Sequence, residues 1–221
     1  MEQVTNQGAY NIFATYLRQA EGIAEWRRQE AAMGLEQHLA QYSIERRQRM
    51  AMDPRASHDV LEVLARDKNE YVRRSVARNR STPPEILAML AEDMADEVRV
   101  SAATNKLAPP EILAMLAEDE NSYVRRYVAR NESTPLEILA MLAKDKDIDV
   151  RRYVATNESA PPEILSMLAE DEDSVVRQYT AMNKSAPPEI LAMLAEDKNS
   201  VVRRCSVTSL CRWIGTNYEI C

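Results

Sequence analysis

Arginine recurs along this chain every 26 residues, in a pattern that indicates recognition of an anionic group. One column of the repeat is unbroken: Arg73, Arg99, Arg125, Arg151, Arg177 and Arg203. The adjacent column varies: Arg74, Val100, Arg126, Arg152, Gln178 and Arg204. Because a guanidinium group presents its donors in a rigid fork, it fits carboxylate and phosphate groups. The two columns therefore predict binding chemistry, either within the protein or with a partner.

Aspartate forms a second unbroken column, six residues before each invariant arginine. Its members are Asp67, Asp93, Asp119, Asp145, Asp171 and Asp197. An invariant charge matched by an invariant countercharge predicts a ladder of ion pairs along a stack of repeats. The invariant arginines are thus interpreted as structural, and the variable column as the binding surface.

Tyrosine accompanies the variable arginines, and further arginines follow four residues later on the same helical stripe. Seven columns, beginning with that of Arg73, hold twelve arginines and no acidic residue over six repeats. Arginine and tyrosine are both enriched at interface hot spots. We call the candidate partner-binding residues the arginine–tyrosine face: Arg74, Arg78, Arg126, Tyr127, Arg130, Arg152, Tyr153, Tyr179 and Arg204.

Two helical segments in each unit must position these side chains. In the first segment, Ile86, Leu87 and Leu90 form one apolar stripe that recurs in the later units. Thr82 and Glu85 at its start predict a hydroxyl cap with a reciprocal glutamate. The five equivalent starting residues are Pro84, Pro110, Leu136, Pro162 and Pro188.

The second segment is expected to be shorter than the first and to pack through a valine column. Its valines are Val72, Val98, Val124, Val150, Val176 and Val202. Asparagine ends five units, where it tolerates the left-handed backbone conformation and can hydrogen-bond to neighbouring backbone groups. These asparagines are Asn79, Asn105, Asn131, Asn157 and Asn183.

The sequence VRRYVARN at 124–131, followed by STPLEIL at 133–139, resembles the leucine-rich repeat variant (LRV) family. The resemblance covers residues 57–209 and implies a right-handed superhelix in which α-helices alternate with 3₁₀ helices. A founding member of the family carries an iron–sulfur cluster on a cysteine-rich N-terminal segment. Since residues 1–204 contain no cysteine, no cofactor is expected in this chain.

The predicted fold is an all-α, right-handed α-solenoid of six 26-residue repeats, in which α-helices alternate with short α or 3₁₀ helices. Residues 1–56 form a helical cap with a degenerate repeat, 57–209 the array, and 210–221 a C-terminal cap. Solenoids need such caps to cover their apolar ends. We expect Trp213, Ile214 and Tyr218 to seal the last repeat. Trp26 and the basic run 46–49 cap the other end or, alternatively, form a homodimer surface.

Composition narrows the functional classes. The formal net charge is −7, and no apolar run is long enough to span a membrane. The polar N-terminus and three cysteines, read as reduced thiols, favour a cytoplasmic location. Neither a catalytic triad nor a metal-ligand pair is recognisable, so we predict no enzyme and no metal site. The predicted function is a scaffold that binds an acidic protein surface or peptide. Nucleic-acid binding by the same arginines is the alternative.

Overall fold

The computed structural model describes residue 22 and residues 33–214, and every regular element in that part of the chain is a helix. The helices are α1 (described over 33–40), α2 (Ile44–Met52), α3 (His58–Leu64), α4 (Glu70–Arg78), α5 (Pro84–Ala91), α6 (Asp96–Ala103), α7 (Pro110–Ala117), α8 (Ser122–Arg130), α9 (Leu136–Leu142), α10 (Ile148–Thr156), α11 (Pro162–Ala169), α12 (Ser174–Met182), α13 (Pro188–Leu194) and α14 (Ser200–Ile214). The all-α class is confirmed.

Consecutive helices pair into six units, from α3 with α4 to α13 with α14. The second helix of each unit packs on the second helices of its neighbours, and most first helices pack on one another in a parallel row. The second helices form the more closely packed row. This arrangement confirms a helical repeat solenoid. The residues of the arginine–tyrosine face lie on the row of second helices.

The first helices of the last five units begin after a proline rather than at a hydroxyl cap. Pro83 has an extended backbone and holds the capping position without a side-chain hydrogen bond. Thr82 therefore stands one residue too early to cap. Its hydroxyl donates to the Val76 carbonyl at 2.6 Å, as Thr134 donates to the Val128 carbonyl at 2.7 Å. The predicted threonine cap is wrong, because proline takes its place and the hydroxyl binds the end of the preceding helix.

The second helices are α-helical and are capped by Asn or Asp in most units. In α8 the Asn121 side chain accepts from the Tyr123 N–H at 2.9 Å, and Asp147 does the same for Asp149 in α10. The second helices α4 to α12 have eight or nine residues, against seven or eight in the first helices. The expectation of a shorter second segment is therefore wrong.

A continuous apolar core runs between the two rows of helices. The whole valine column is fully buried, as is the leucine column that faces it. Leu87, Leu113, Leu139 and Leu165 have no exposed surface, and Leu191 has 2%. Complete burial of such a side chain contributes about 2 kcal/mol, so each unit is stabilised largely by what its neighbours cover.

The asparagine column joins successive units. Asn131 has an extended backbone, with φ −70° and ψ 120°, rather than the left-handed conformation that asparagine tolerates. Its buried amide donates to the carbonyls of Ala103 and Asn105 at 2.7 and 3.3 Å, and its oxygen accepts from the Ser133 N–H at 2.9 Å. The same amide contacts recur at Asn79, Asn105, Asn157 and Asn183. Each asparagine satisfies backbone groups at the end of the preceding second helix.

The two ends of the array differ from the sequence expectations. Helix α14 runs on to Ile214 without a break at residue 210, and Cys211 on it is buried while Trp213 is 64% exposed. Trp213 therefore does not seal the last repeat. Trp26 and Tyr218 lie outside the described residues. No helix in the described part of the chain has the length and apolarity to cross a membrane.

Candidate binding surface

The invariant arginines bind the aspartate of the next unit. The Arg125 Nε lies 2.6 Å from Asp145 Oδ2, and its Nη2 lies 2.9 Å from Asp145 Oδ1. Its Nη1 donates to the Asp119 carbonyl of its own unit at 2.8 Å. One guanidinium group thus binds a carboxylate through two hydrogen bonds and closes a turn in its own unit.

This geometry repeats along the array, so the predicted ladder of ion pairs is confirmed. The pairs are Arg47–Asp67, Arg73–Asp93, Arg99–Asp119, Arg125–Asp145, Arg151–Asp171 and Arg177–Asp197. Arg47 lies in α2, which shows that α1 and α2 continue the register of the units. The ladder is a structural joint between units and is not available to a partner.

The ladder shifts the pKa of its members in the directions expected for close ion pairs. Burial raises the pKa of Asp93 and Asp145, but the hydrogen bonds from their arginines outweigh it and leave both pKa values below the usual range. For Asp197 the hydrogen bond from Arg177 is the main cause of a lowered pKa. The folded array therefore stabilises these aspartates in the charged form.

The structure places all nine predicted residues on second helices, distributed over α4, α8, α10, α12 and α14. It brings the central ones into contact. The rings of Tyr127 and Tyr153 stack with centroids 6.4 Å apart and an interplanar angle of 24°. Arg152 lies 5.2 Å from the Tyr153 ring and 5.5 Å from the Tyr179 ring. Helix α6 interrupts the face, because Val100 and Thr104 occupy its columns.

Two aspartates that the sequence analysis did not consider neutralise the centre of this face. Asp147 Oδ2 lies 3.1 Å from Arg126 Nη2, and Asp149 Oδ2 lies 2.9 Å from Arg126 Nη1. The other Asp149 oxygen lies 3.0 Å from Arg152 Nη2. Although burial raises the pKa of Asp147, the hydrogen bond from Arg126 and other favourable contacts lower it to about 2. Asp149 therefore bridges two arginines of adjacent units.

The seven columns that begin with that of Arg73 contain no acidic residue, but Asp147 and Asp149 in the preceding columns reach the face. Asp147 caps α10 and Asp149 lies in its first turn, four and two residues before Arg151. Asp147 contacts an arginine 21 residues earlier in the chain. The sequence does contain a signal for these two aspartates. Only the unit of α10 has acidic residues at both of these columns, with Asn and Tyr at the equivalents in α8.

Four arginines of the face form no ion pair within the described part of the chain: Arg74, Arg78, Arg130 and Arg204. Three of them, Arg78, Arg130 and Arg204, are exposed. Arg74 is half-buried, and its Nε has no hydrogen-bond partner. These guanidinium groups keep their charge available to a partner, unlike Arg126 and Arg152.

The exposed unpaired arginines fall into two separate groups, and the half-buried Arg74 belongs to neither. The N-terminal cluster consists of Arg78, Arg130 and Tyr127. The hydroxyl of Tyr123, 3.1 Å from that of Tyr127, raises the pKa of Tyr127 together with burial, while the charges of Arg130 and Arg78 act in the opposite direction. The charges of both arginines therefore act on one phenol, although the two residues belong to units two apart. Tyr123 is a further member of the surface that the sequence analysis missed.

An open depression of about 250 Å³ lies beside the N-terminal cluster. It is lined by Thr104, Lys106, Tyr127, Arg130, Asn131, Glu132 and Ser133. Glu132 and Lys106 approach each other to 4.0 Å. The depression is therefore basic and polar, with one aromatic wall.

The C-terminal cluster lies on α14, where Arg204, Thr208 and Arg212 follow one another at intervals of four residues on one stripe. Together with Met182, Cys205 and Ser209 they line an open depression of about 300 Å³ that no carboxylate lines. Neither arginine forms an ion pair with a described residue. Cys205 is a free thiol, whereas Cys211 is disulfide-bonded, so the expectation of three reduced thiols is wrong at Cys211.

The comparison with protein families matches residues 148–173 to the leucine rich repeat variant. That segment is one full period, from the start of α10 through α11, and the remaining units repeat its columns in the same register. Residues 148–173 are thus similar to an LRV repeat, and the described part of the chain is built from helical repeats. The resemblance stated from the sequence is thereby confirmed.

Two solved structures are similar to this chain. One is titled as a leucine-rich repeat variant with a novel repetitive protein structural motif. It shares 28% identity over 82% of each chain, with a TM-score of 0.38. The other is an engineered protein from a structural genomics consortium, with 20% identity over 68% of this chain and 93% of that one, and a TM-score of 0.44. No curated protein matches the chain.

Proposed function

We propose that this LRV-type protein is a non-catalytic recognition scaffold whose arginine–tyrosine face binds an acidic surface or peptide of a protein partner. One observation carries the proposal. Arg78, Arg130 and Arg204 are exposed without an ion pair to described residues, while the invariant arginines are all held in the fold's own contacts. Arginines that the fold does not need, next to tyrosines, are the composition of an interface hot spot.

Nucleic acid is the second candidate, and the row of tyrosines favours it because bases stack on aromatic rings. The ring faces are, however, already engaged within the protein. Tyr127 and Tyr153 stack on each other, and Arg152 covers Tyr153 and Tyr179. The net charge of −7 also opposes general attraction to phosphate chains. An acidic protein segment therefore fits the face better.

The variant that tests the face is Arg78→Glu with Arg130→Glu. Both side chains are exposed and unpaired with described residues, so the fold should tolerate their reversal. Arg126 and Arg152 are less suitable, because a glutamate at either position would face Asp147 or Asp149 and destabilise α10. The matched control is Lys68→Glu with Lys144→Glu, two exposed cations that follow first helices and form no ion pair with described residues.

The measurement is fluorescence anisotropy with two labelled probes of equal charge, a glutamate-rich peptide and a mixed-sequence single-stranded DNA. We expect the peptide to bind the wild type and the control, and to lose at least about tenfold in affinity with Arg78→Glu/Arg130→Glu, since each reversal removes an attraction and adds a repulsion. Circular dichroism should show unchanged helicity in both variants. Preferential binding of DNA with a steep salt dependence would favour the second candidate. Failure of both probes to bind the wild type would refute the proposal.

A further inference from the structure

The free positive charge of the arginine–tyrosine face is concentrated at its two ends. The N-terminal cluster has Arg78 and Arg130 unpaired with described residues, and the C-terminal cluster has Arg204 and Arg212. Between them, Asp147 and Asp149 neutralise Arg126 and Arg152, and the next unit has Gln178 in the arginine column. The face is thus two basic sites separated by a neutral segment.

The unit spacing sets the distance between these sites. Arg130 is in α8 and Arg204 in α14, so three steps between neighbouring second helices separate them. Packed helices lie about 8 to 10 Å apart, which places the sites roughly 25 to 30 Å from each other. An extended peptide advances about 3.3 Å per residue, and about nine residues span this gap.

We infer that the partner is an extended peptide with two acidic clusters, separated by about nine residues that carry no negative charge. This inference rests on the proposed function and specifies its ligand. The spacer must lack acidic residues because it passes Asp147 and Asp149, whose carboxylates would repel them. The two basic sites require the acidic clusters of the peptide, and the neutral middle of the face sets the distance between those clusters.

Linking the two contacts on one peptide strengthens binding, because the second contact forms at the high effective concentration that the linker sets. The gain disappears when a stiff linker is too short or too long to reach both sites. Affinity should therefore depend on spacer length rather than on total charge alone. This dependence distinguishes a two-site face from a uniformly basic one.

The experiment uses the full chain and four synthetic peptides, measured by fluorescence anisotropy at fixed salt. One peptide has a single cluster of four glutamates. The others have two such clusters joined by three, nine or fifteen residues of proline-rich spacer, which extends about 3.1 Å per residue. We expect the nine-residue spacer to bind at least about tenfold more tightly than the single cluster, and the other two spacers to bind within about threefold of it.

Variants at either end test the assignment of the sites. Arg78→Glu/Arg130→Glu and Arg204→Glu/Arg212→Glu should each reduce the nine-residue peptide to the affinity of the single cluster. Lys68→Glu/Lys144→Glu, the control, should leave its affinity unchanged.

Removing the acidic partners of the central arginines should have the opposite effect, a gain in affinity. Asp149→Val with Asp147→Asn installs residues that occupy these columns elsewhere, Val175 and Asn121, and the asparagine keeps the helix cap. Arg126 and Arg152 then lose their acidic partners, and the three-residue spacer should gain affinity towards that of the nine-residue peptide.

Two results would overturn the inference in different ways. If acidic peptides bind but affinity follows total charge without regard to spacer length, the two-site arrangement is wrong and the proposed function stands. If none of the four peptides binds the wild type, both the inference and the proposed function fail.

Discussion

Arg125 and Arg126 are neighbours in the same helix but belong to different parts of the molecule. Arg125 is 6% exposed, and all three of its nitrogens bind the aspartates of two units. Arg126 is half-buried on the surface, pairs with Asp147 and Asp149, and leaves its Nε without a hydrogen bond. Successive residues of a helix differ in direction by about 100°, so one side chain lies in the joint between units and the next lies on the surface. In this repeat array, the invariant column of Arg125 forms the contacts between units, and the variable column of Arg126 lies on the surface.

The largest expected effect comes from acid, which acts on several joints at once. Asp93, Asp145 and Asp197 have pKa values in the folded state below the ordinary 3.8, and that of Asp147 is about 2. A lowered folded-state pKa adds stability that is present above the unfolded-state value and is lost as pH falls through the folded-state value. The free energy of unfolding should therefore be nearly constant above about pH 5 and fall steeply between about pH 4 and pH 2.

Thermal melts monitored by circular dichroism between pH 7 and pH 2 measure this loss. In Asp147→Asn, the melting temperature should depend less on pH below about pH 4 than in the wild type. At pH 7 it should lie within a few degrees of the wild-type value. A melting temperature that stayed constant down to pH 2.5 would show that the ladder contributes little to stability.

Arg125→Gln should cause the next largest effect. The substitution leaves the Asp145 carboxylate 10% exposed without its charge partner, and it removes the donor to the Asp119 carbonyl. Removing one member of a buried ion pair costs about 3 kcal/mol. Urea unfolding should show a midpoint well below that of the wild type. An unchanged midpoint would mean that water replaces the guanidinium group without cost.

Arg126→Gln, the same change one residue later, should have the smallest effect. Glutamine is found at this column in Gln178, and the ion pairs of Arg126 are near the surface, where a pair contributes less than about 1 kcal/mol. The urea midpoint should lie close to that of the wild type. A loss as large as that of Arg125→Gln would place both arginine columns in the joint and contradict the assignment of a free surface.

The sequence was sufficient for the architecture because each joint repeats the same residues. The 26-residue spacing, the apolar stripes and the paired columns of Arg and Asp are visible without coordinates. The ladder followed from charge matching alone, although the carboxylate partner of Arg73 is Asp93 of the next unit rather than Asp67 of its own. Repetition makes a long-range contact predictable, since any contact across one joint recurs at the others.

Contacts that occur in a single unit, or that depend on the direction of one side chain, could not be predicted from the repeat pattern. Asp147 and Asp149 break the pattern of their columns, and only the fold brings them onto Arg126. The Thr82 hydroxyl turns inward because Pro83 displaces it from the cap. The extended backbone of Asn131 depends on carbonyl groups that another unit supplies. Rules based on neighbouring residues in the sequence cannot predict these contacts, because the partners come from elsewhere in the fold.

The asparagine column also determines how such an array can change its length. Each asparagine reaches back 26 and 28 residues to carbonyl groups, and each ladder arginine reaches forward 20 residues to an aspartate. Because carbonyl groups are the same in every unit, any second helix can follow any other. Losing or duplicating one whole period would restore every contact at the new joint, whereas any other length change would misalign them all. The backbone-directed amides thus allow evolution to lengthen or shorten the protein in whole units, and to change the distance between its two basic ends in steps of one helix width.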